Sequence, residues 1–312
     1  MNNLSELDLA VKFLKEGKLI AFPTETVYAL AGDARNLLAI KQIVRLKNRP
    51  LNQPLSVLLA ENQPLELWAR EISPLAKKLA QQFWPGPLTL ILNKSESVLS
   101  ELTAGQPKIG LRIPNHPIAQ AFLQAFGSGL AATSANRSAH FSATEVDHVR
   151  EAFGDQLTLI IDGGPCSIGI ESTIIDVTTD IPQILRLGAI SVERIQQVIG
   201  FTPIKAMTKS NSNQLGSGIV LQQILTEQLD YMISEHLKYG KTLTVLGLNL
   251  TSIHHKNLTW ITMPNNPIEY ARILYKILHE AKRHASDKIL VESLPNMLVW
   301  AGVQAILDKN SI

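Results

Sequence analysis

Apolar residues at Leu7, Ala10, Val11 and Leu14 recur at helical spacing, Gly17 follows as a stop, and residues 19–22 form a continuous apolar run of strand length. The pattern predicts a helix followed by a buried strand, and the same unit returns along the chain. Leu37, Ile40, Ile43 and Val44 mark a second helix ahead of a strand at 55–59. Ser73 and Pro74 supply an N-cap and a first helical position before Leu75 and Leu79, and Pro85-Gly86-Pro87 forces a turn before the run 88–92. Residues 109–113 read as a strand, 117–126 as a helix and 130–133 as a strand, after which Ser142-Ala143-Thr144-Glu145 matches a capping box opening another helix. Strand-like runs at 157–161, 173–177 and 184–185 complete an alternation that predicts an α/β fold with a mixed sheet.

From about 201 to 217 the periodicity fades into Lys, Ser, Asn, Gln and Gly, which predicts a linker. The expected organisation is a first domain over 1–200, a linker over 201–217 and a small Rossmann-like α/β domain over 218–312. In the second domain, strands are expected at 243–248, 259–262 and 288–292, with a helix whose apolar face carries Ile268, Ala271, Leu274, Tyr275 and Leu278. No internal repeat or low-complexity tract interrupts this plan.

Composition narrows the class. With 312 residues, 45% hydrophobic and 18% charged, the chain can bury two cores. Twenty-nine Lys plus Arg against 27 Asp plus Glu leave a net charge of +2, so any basic site must be local. Cys166 is the single cysteine and has no disulfide partner within the chain; residues 1–8 lack a signal-peptide pattern, and no apolar run approaches the roughly 18 residues of a membrane span. A cytoplasmic protein without a membrane contact is the expectation.

The candidate chemistry sits at the ends of apolar runs, where α/β proteins bind ligands. Residues 22–28, Phe-Pro-Thr-Glu-Thr-Val-Tyr, follow the first strand. Lys47 and Arg49 precede Pro50 and can aim two cations at one anion, or they can be a solvated helix end that complements the dipole. Arg112 closes a strand before Pro114; it is a third cation, or an ordinary surface arginine. Thr133-Ser134-Ala135-Asn136 offers hydroxyls and an amide, which a plain turn would also use. Asp162-Gly163-Gly164 with Gly169 and Glu171-Ser172-Thr173 suits an anion cradle or a hairpin connection, and Arg186 lies just before Gly188. Cys166 reads as nucleophile or inert packing, His116 as a site or turn residue. The eight histidines show no metal-ligand spacing, so no protein-only metal site is expected.

Taken in order, Pro23-Thr24-Glu25-Thr26-Val27-Tyr28, Lys47-Asn48-Arg49-Pro50, Trp84-Pro85-Gly86-Pro87-Leu88-Thr89, Arg112-Ile113-Pro114, Ser134-Ala135-Asn136, Asp162-Gly163-Gly164, Glu171-Ser172-Thr173 and Leu185-Arg186-Leu187-Gly188 strongly resemble the motifs of the YrdC family of threonylcarbamoyl-AMP synthases. The remainder is similar to the second domain of the family's longer form. The resemblance implies a YrdC-like twisted mixed sheet flanked by helices, with a concave basic pocket. It also implies a reaction of L-threonine, bicarbonate and ATP that gives threonylcarbamoyl-AMP and pyrophosphate, the product passing to the tRNA threonylcarbamoyl-transfer machinery. Contact with tRNA or double-stranded RNA is a further expectation.

By the same resemblance Lys47, Arg49, Ser134 and Asn136 would hold the ATP phosphates with magnesium, and Ser142 and Arg186 would flank the nucleotide. Thr26, Arg112 and Ser172 would hold threonine, with Arg112 at its carboxylate, and Lys47 and Arg49 would act on the transition state. Neither chemical step needs an enzyme nucleophile, so positioning and charge neutralisation suffice. Three departures stand out: Ala29 and Ala31 replace family glycines, no Pro-Gly…His-Tyr-Ala-Pro linker motif occurs between Phe201 and Gln222, and the second domain ends early. The same fold also admits a carbamoyltransferase-type domain or an RNA-binding module without turnover.

Overall fold

The computed structural model describes residues 5–205, 219–251 and 253–311. In chain order its elements are α1 (Glu6–Lys15), β1 (Ile20–Phe22), β2 (Ala29–Asp33), α2 (Leu37–Lys47), β3 (Ser56–Leu58), β4 (Ala69–Arg70), α3 (Pro74–Phe83), β5 (Leu88–Lys94), β6 (Lys108–Arg112), α4 (Pro117–Phe126), β7 (Leu130–Ser134), α5 (Val146–Phe153), β8 (Leu159–Ile160), β9 (Thr173–Asp176), β10 (Gln183–Arg186), α6 (Val192–Ile199) and β11 (Ile204–Lys205). Then come β12 (Val220–Ile224), α7 (Leu229–Lys238), β13 (Leu243–Gly247), β14 (Leu258–Thr262), α8 (Pro267–Arg283), β15 (Lys288–Glu292) and α9 (Ala301–Asn310).

The first sheet is mixed and runs β11-β10-β9-β5-β6-β3-β7-β2-β1-β8, with β4 on β5. Successive residues of β1 and β2 alternate between two cores, as a pleated strand requires. Ala21 and Leu30 face a core with Ile40 and Ile43 of α2 and Leu79 of α3. Ile20, Phe22, Ala29 and Ala31 face α1 and α4, where Phe22 meets Phe122 edge to face at 4.4 Å. The methyl groups of Ala29 and Ala31 therefore fill the core instead of intruding on a binding surface.

Strand β2 has little intrinsic strand character, and the periodicity misses it. It forms because β7 pairs antiparallel along its whole length and β1 pairs antiparallel with Ala29, Leu30 and Ala31. Strand β11 falls inside the stretch read as linker and pairs in parallel with β10; residues 206–217 of that stretch lie outside the described residues. The second sheet, β12-β15-β13-β14, is wholly parallel, which is the Rossmann-like arrangement. Ile268, assigned to the apolar face of α8, is exposed in its first turn.

Helix α8 is also where the second domain meets the first. Tyr270, Ala271 and Leu274 share a core with Val27, Phe141 and Ile170, while Lys276 pairs with Glu145 and Arg283 with Glu151. Gly169 makes the approach feasible: its φ is +83°, and a Cβ there would lie 2.5 Å from the backbone of Ala271 and Arg272. Gly169→Ala combines left-handed strain with overpacking, for a cost of about 2–4 kcal/mol. Urea unfolding should show a lower midpoint, and limited proteolysis a faster separation of the two domains.

At the same interface His148 of α5 and His279 of α8 stack at 3.7 Å with rings 10° apart. Burial, reinforced by the facing ring, pushes His148 down to about 3. Burial likewise pushes His279 down to about 4, against the hydrogen bond it makes to the Ser142 carbonyl oxygen at 3.2 Å. Their unfolded value is near 6.5, so the unfolded chain binds more protons below that pH. The contribution is full above pH 6.5 and lost as pH falls toward 4, by roughly 1.4 kcal/mol per unit for each histidine. Urea midpoints of the parent should fall between pH 7 and 5 more steeply than those of His148→Phe.

Candidate functional site

Helix α2 begins on Asn36, whose side chain accepts from the amides of Leu38 and Ala39, and ends where Asn48 turns left-handed with φ 52°. This reversal brings the helix end beneath the end of β7. Lys47 is only 2% exposed, which rules out the solvated-helix-end reading. Its Nζ donates to the backbone oxygens of Ser134 and Asn136, and to Asn136 Oδ1 at 3.4 Å. Burial, and then the charges of Arg49 and Lys309, push its pKa well below the usual lysine value; three oxygens that can only accept hold it as an ammonium.

Arg49 spreads its guanidinium over Gln53 O (3.2 Å), Pro54 O (2.9 Å) and Thr133 Oγ1 (3.5 Å). Burial and the nearby Arg186 charge lower its pKa without discharging it. The Asn136 amide nitrogen is spent on Arg137 O and His140 O, so it braces its own loop while Oδ1 faces Lys47.

A second group gathers around Arg112 at the end of β6. This residue is 7% exposed, not a surface arginine. Its Nη2 donates to Thr26 Oγ1 at 2.9 Å and lies 2.8 Å from Glu25 Oε1, and its Nε donates to Gly86 O at 3.3 Å. Thr24 organises the loop: Oγ1 donates to Val27 O and accepts from the amides of Thr26 and Val27.

Ser172 anchors a third group. Its Oγ shares a hydrogen bond with Thr89 Oγ1 at 2.8 Å, and Arg186 donates to both its O and Oγ at 2.8–3.0 Å. Next to it, Glu171 is buried. Burial alone would raise its pKa, but Lys309, Arg186 and the Ser142 hydroxyl together hold it below the usual carboxylate range. Ser142 Oγ donates to Glu171 Oε1 at 2.7 Å, and Tyr275 of α8 donates to the carboxylate at 3.0–3.1 Å. The expected capping box is therefore absent. Helix α5 starts at Val146 with Glu145 as N-cap, so Ser142 lies one turn too early and spends its hydroxyl on Glu171 instead.

The loop from Asp162 to Ser172 is not a hairpin, because β8 and β9 lie far apart in the sheet. It crosses beneath the site, held by Tyr28, whose hydroxyl donates to Gly164 O at 2.9 Å and accepts from the amide of Gly163. Cys166 is buried in this loop and burial raises its thiol to about 12, so it packs instead of attacking. Among the described residues no group of three or more His, Cys, Asp or Glu converges to hold a metal, and no helix is long and apolar enough to cross a membrane.

The structure brings the nine residues picked out from the sequence into three neighbouring groups: Lys47, Arg49, Ser134 and Asn136; Thr26 and Arg112; and Ser172, Arg186 and Ser142. Glu171 and Tyr275 were missed. Glu171 sat inside a quoted motif, whereas Tyr275 reads in sequence only as one more apolar helix position.

This architecture has relatives. The Sua5/YciO/YrdC family model, described as "Telomere recombination", matches residues 12–188. The chain is 36% identical to the threonylcarbamoyl-AMP synthase of Pyrococcus abyssi, over 98% of this chain and 94% of that one, and 35% identical to that of Bacillus subtilis, over 98% and 93%. The crystal structure of Pyrococcus abyssi Sua5 complexed with L-threonine superposes with a TM-score of 0.90, covering 99% of this chain and 96% of the other at 34% identity. The chain belongs to the Sua5/YciO/YrdC family. Within it, the chain falls among the two-domain threonylcarbamoyl-AMP synthases, nucleotidyltransferases that use ATP in the threonylcarbamoyladenosine modification of tRNA.

Proposed function

We propose that these neighbouring groups hold ATP over Lys47, Arg49, Ser134, Asn136, Ser142 and Arg186, and L-threonine over Thr26, Arg112 and Ser172, so that a threonine carbamate made from bicarbonate attacks the α-phosphorus of ATP. One observation carries this reading: Lys47, Arg49 and Arg186 converge, yet none forms a salt bridge with a carboxylate among the described residues. Clustered cations with no carboxylate bonded directly to them suit a polyphosphate. Arg112, although it lies against Glu25, suits a second carboxylate, and the L-threonine bound to the Pyrococcus abyssi relative supports an amino-acid site here.

Magnesium fits only as an ion carried by the phosphates, since the protein groups at that end are cations, an amide and hydroxyls. It would shield the charge of the leaving pyrophosphate. A cytoplasmic place beside ATP and tRNA accords with this reading, as does delivery of the product to the tRNA threonylcarbamoyl-transfer machinery. Direct contact with tRNA or double-stranded RNA would show as retention that weakens steeply with salt. The deciding test is incubation with ATP, magnesium, threonine and labelled bicarbonate. A labelled threonylcarbamoyl-AMP adduct is expected, and its absence with folded protein would refute the assignment.

A further inference from the structure

Glu25 is buried, 4% exposed, and the mechanism above leaves it without a task. Its backbone is fixed on both sides, because Ile168 N donates to Glu25 O at 2.8 Å and Gly169 N to Thr26 O at 3.1 Å. Its carboxylate lies against Arg112 with Oε1 2.8 Å from Nη2, but the two N–H groups of that nitrogen are directed at Thr26 Oγ1 (2.9 Å) and Thr24 Oγ1 (3.5 Å). Neither Glu25 oxygen accepts a hydrogen bond from a described residue. A buried carboxylate with empty lone pairs is costly, and a group with three N–H donors would satisfy it. The cation and anion side by side complement a zwitterion: Arg112 faces a carboxylate and Glu25 faces an ammonium.

We propose that Glu25 is a catalytic residue of the synthesis, binding the threonine α-ammonium and taking one of its protons as the carbamate forms. The proposal rests on the threonine pocket described above. In the step, the ammonium passes one proton to the Glu25 carboxylate, and the freed nitrogen lone pair forms the N–C bond to the carbon of bicarbonate. The C–OH bond of bicarbonate breaks, and its hydroxide leaves as water with the second nitrogen proton. Ammonium, bicarbonate and carboxylate become carbamate, water and carboxylic acid, with charge and atoms conserved. The titratable groups facing Glu25 are Arg112 on β6, His116 at the start of α4 and Cys166 in the crossing loop, the last two near enough to feel its charge.

The test compares Glu25→Gln and Glu25→Asp with the parent for threonine affinity, ATP affinity and the pH profile of threonine-dependent pyrophosphate release. In Glu25→Gln, threonine affinity should fall about tenfold or more and kcat by about 10²-fold, the size of a lost general base. Its rate should climb about tenfold per pH unit toward the amine's own pKa, as solvent takes over deprotonation. Glu25→Asp should keep the parent's profile shape at a lower kcat. ATP affinity should persist in both variants. A Glu25→Gln profile parallel to the parent's, or unchanged threonine affinity, overturns the proposal. If Glu25→Gln does not fold, parent-like kcat and threonine KM in Glu25→Asp overturn it. Arg112→Lys separates the two readings: weakened threonine binding there with none in Glu25→Gln sinks only the role of Glu25, while unchanged binding in Arg112→Lys sinks the pocket itself.

Discussion

Lys47→Ala lowers threonine-dependent pyrophosphate release by about 10²-fold or more, the scale at which loss of one preorganised donor to a developing anion is felt. The expectation rests on how the ammonium is held. It is buried, oriented by oxygens of Ser134 and Asn136 at the end of β7, and free of any carboxylate partner among the described residues. To meet phosphate oxygens the ammonium has to turn one of its three N–H groups from these protein oxygens, and the long contact to Asn136 Oδ1 at 3.4 Å is the easiest to give up. The substitution also strips those oxygens of a donor, at a cost of about 1–3 kcal/mol. Stability and catalysis therefore have to be measured apart, by urea unfolding and by turnover on the folded fraction. Turnover within threefold of the parent on that fraction would remove Lys47 from the transition state.

Arg112→Ala has the largest expected effect on stability. Removing one partner of a buried ion pair leaves the other charge uncompensated, typically at about 3–5 kcal/mol, and here Gly86 O and Thr26 Oγ1 also lose their donor. Urea unfolding should show the loss, and calorimetry should show no threonine binding. The sign reverses in the double variant: Glu25→Leu with Arg112→Met removes both charges and should recover most of the lost stability, because no buried ion remains to be solvated. Threonine binding should not recover with it. A double variant as unstable as Arg112→Ala would mean that the cost lies in packing around β6 and not in the stranded carboxylate.

Most of the first domain was readable because its strands are short apolar runs bounded by Pro, Gly and capping residues, as at 19–22, 88–92 and 109–113. The failures have local causes. Strand β2, Ala29–Asp33, is a run of small residues whose strand state comes from its neighbours on both sides. The Ser142 capping box was a sound local expectation that lost to a buried carboxylate 29 residues further along the chain. Strand β12, Val220–Ile224, was hidden by two glutamines in its centre.

The candidate site divides along the same line. Lys47, Arg49, Arg112, Ser134 and Ser172 are each ambiguous in sequence, between a site and a solvated end, surface residue or turn, and stand out only through the ordered family motifs that contain them. Whether such a cation is solvated or buried depends on what the fold places over it, and that is invisible until β6, β7 and the crossing loop are assembled. The part played by the second domain is the clearest case, since Tyr275 and His279 sit one helical turn apart on α8 and reach Glu171 and the Ser142 carbonyl only through docking. By itself the sequence determined the class of fold, the family and the inventory of charges, because these follow from short-range pattern and residue type. Tertiary structure alone decided which of those charges are buried and which are paired, because burial and pairing depend on residues far apart in the chain.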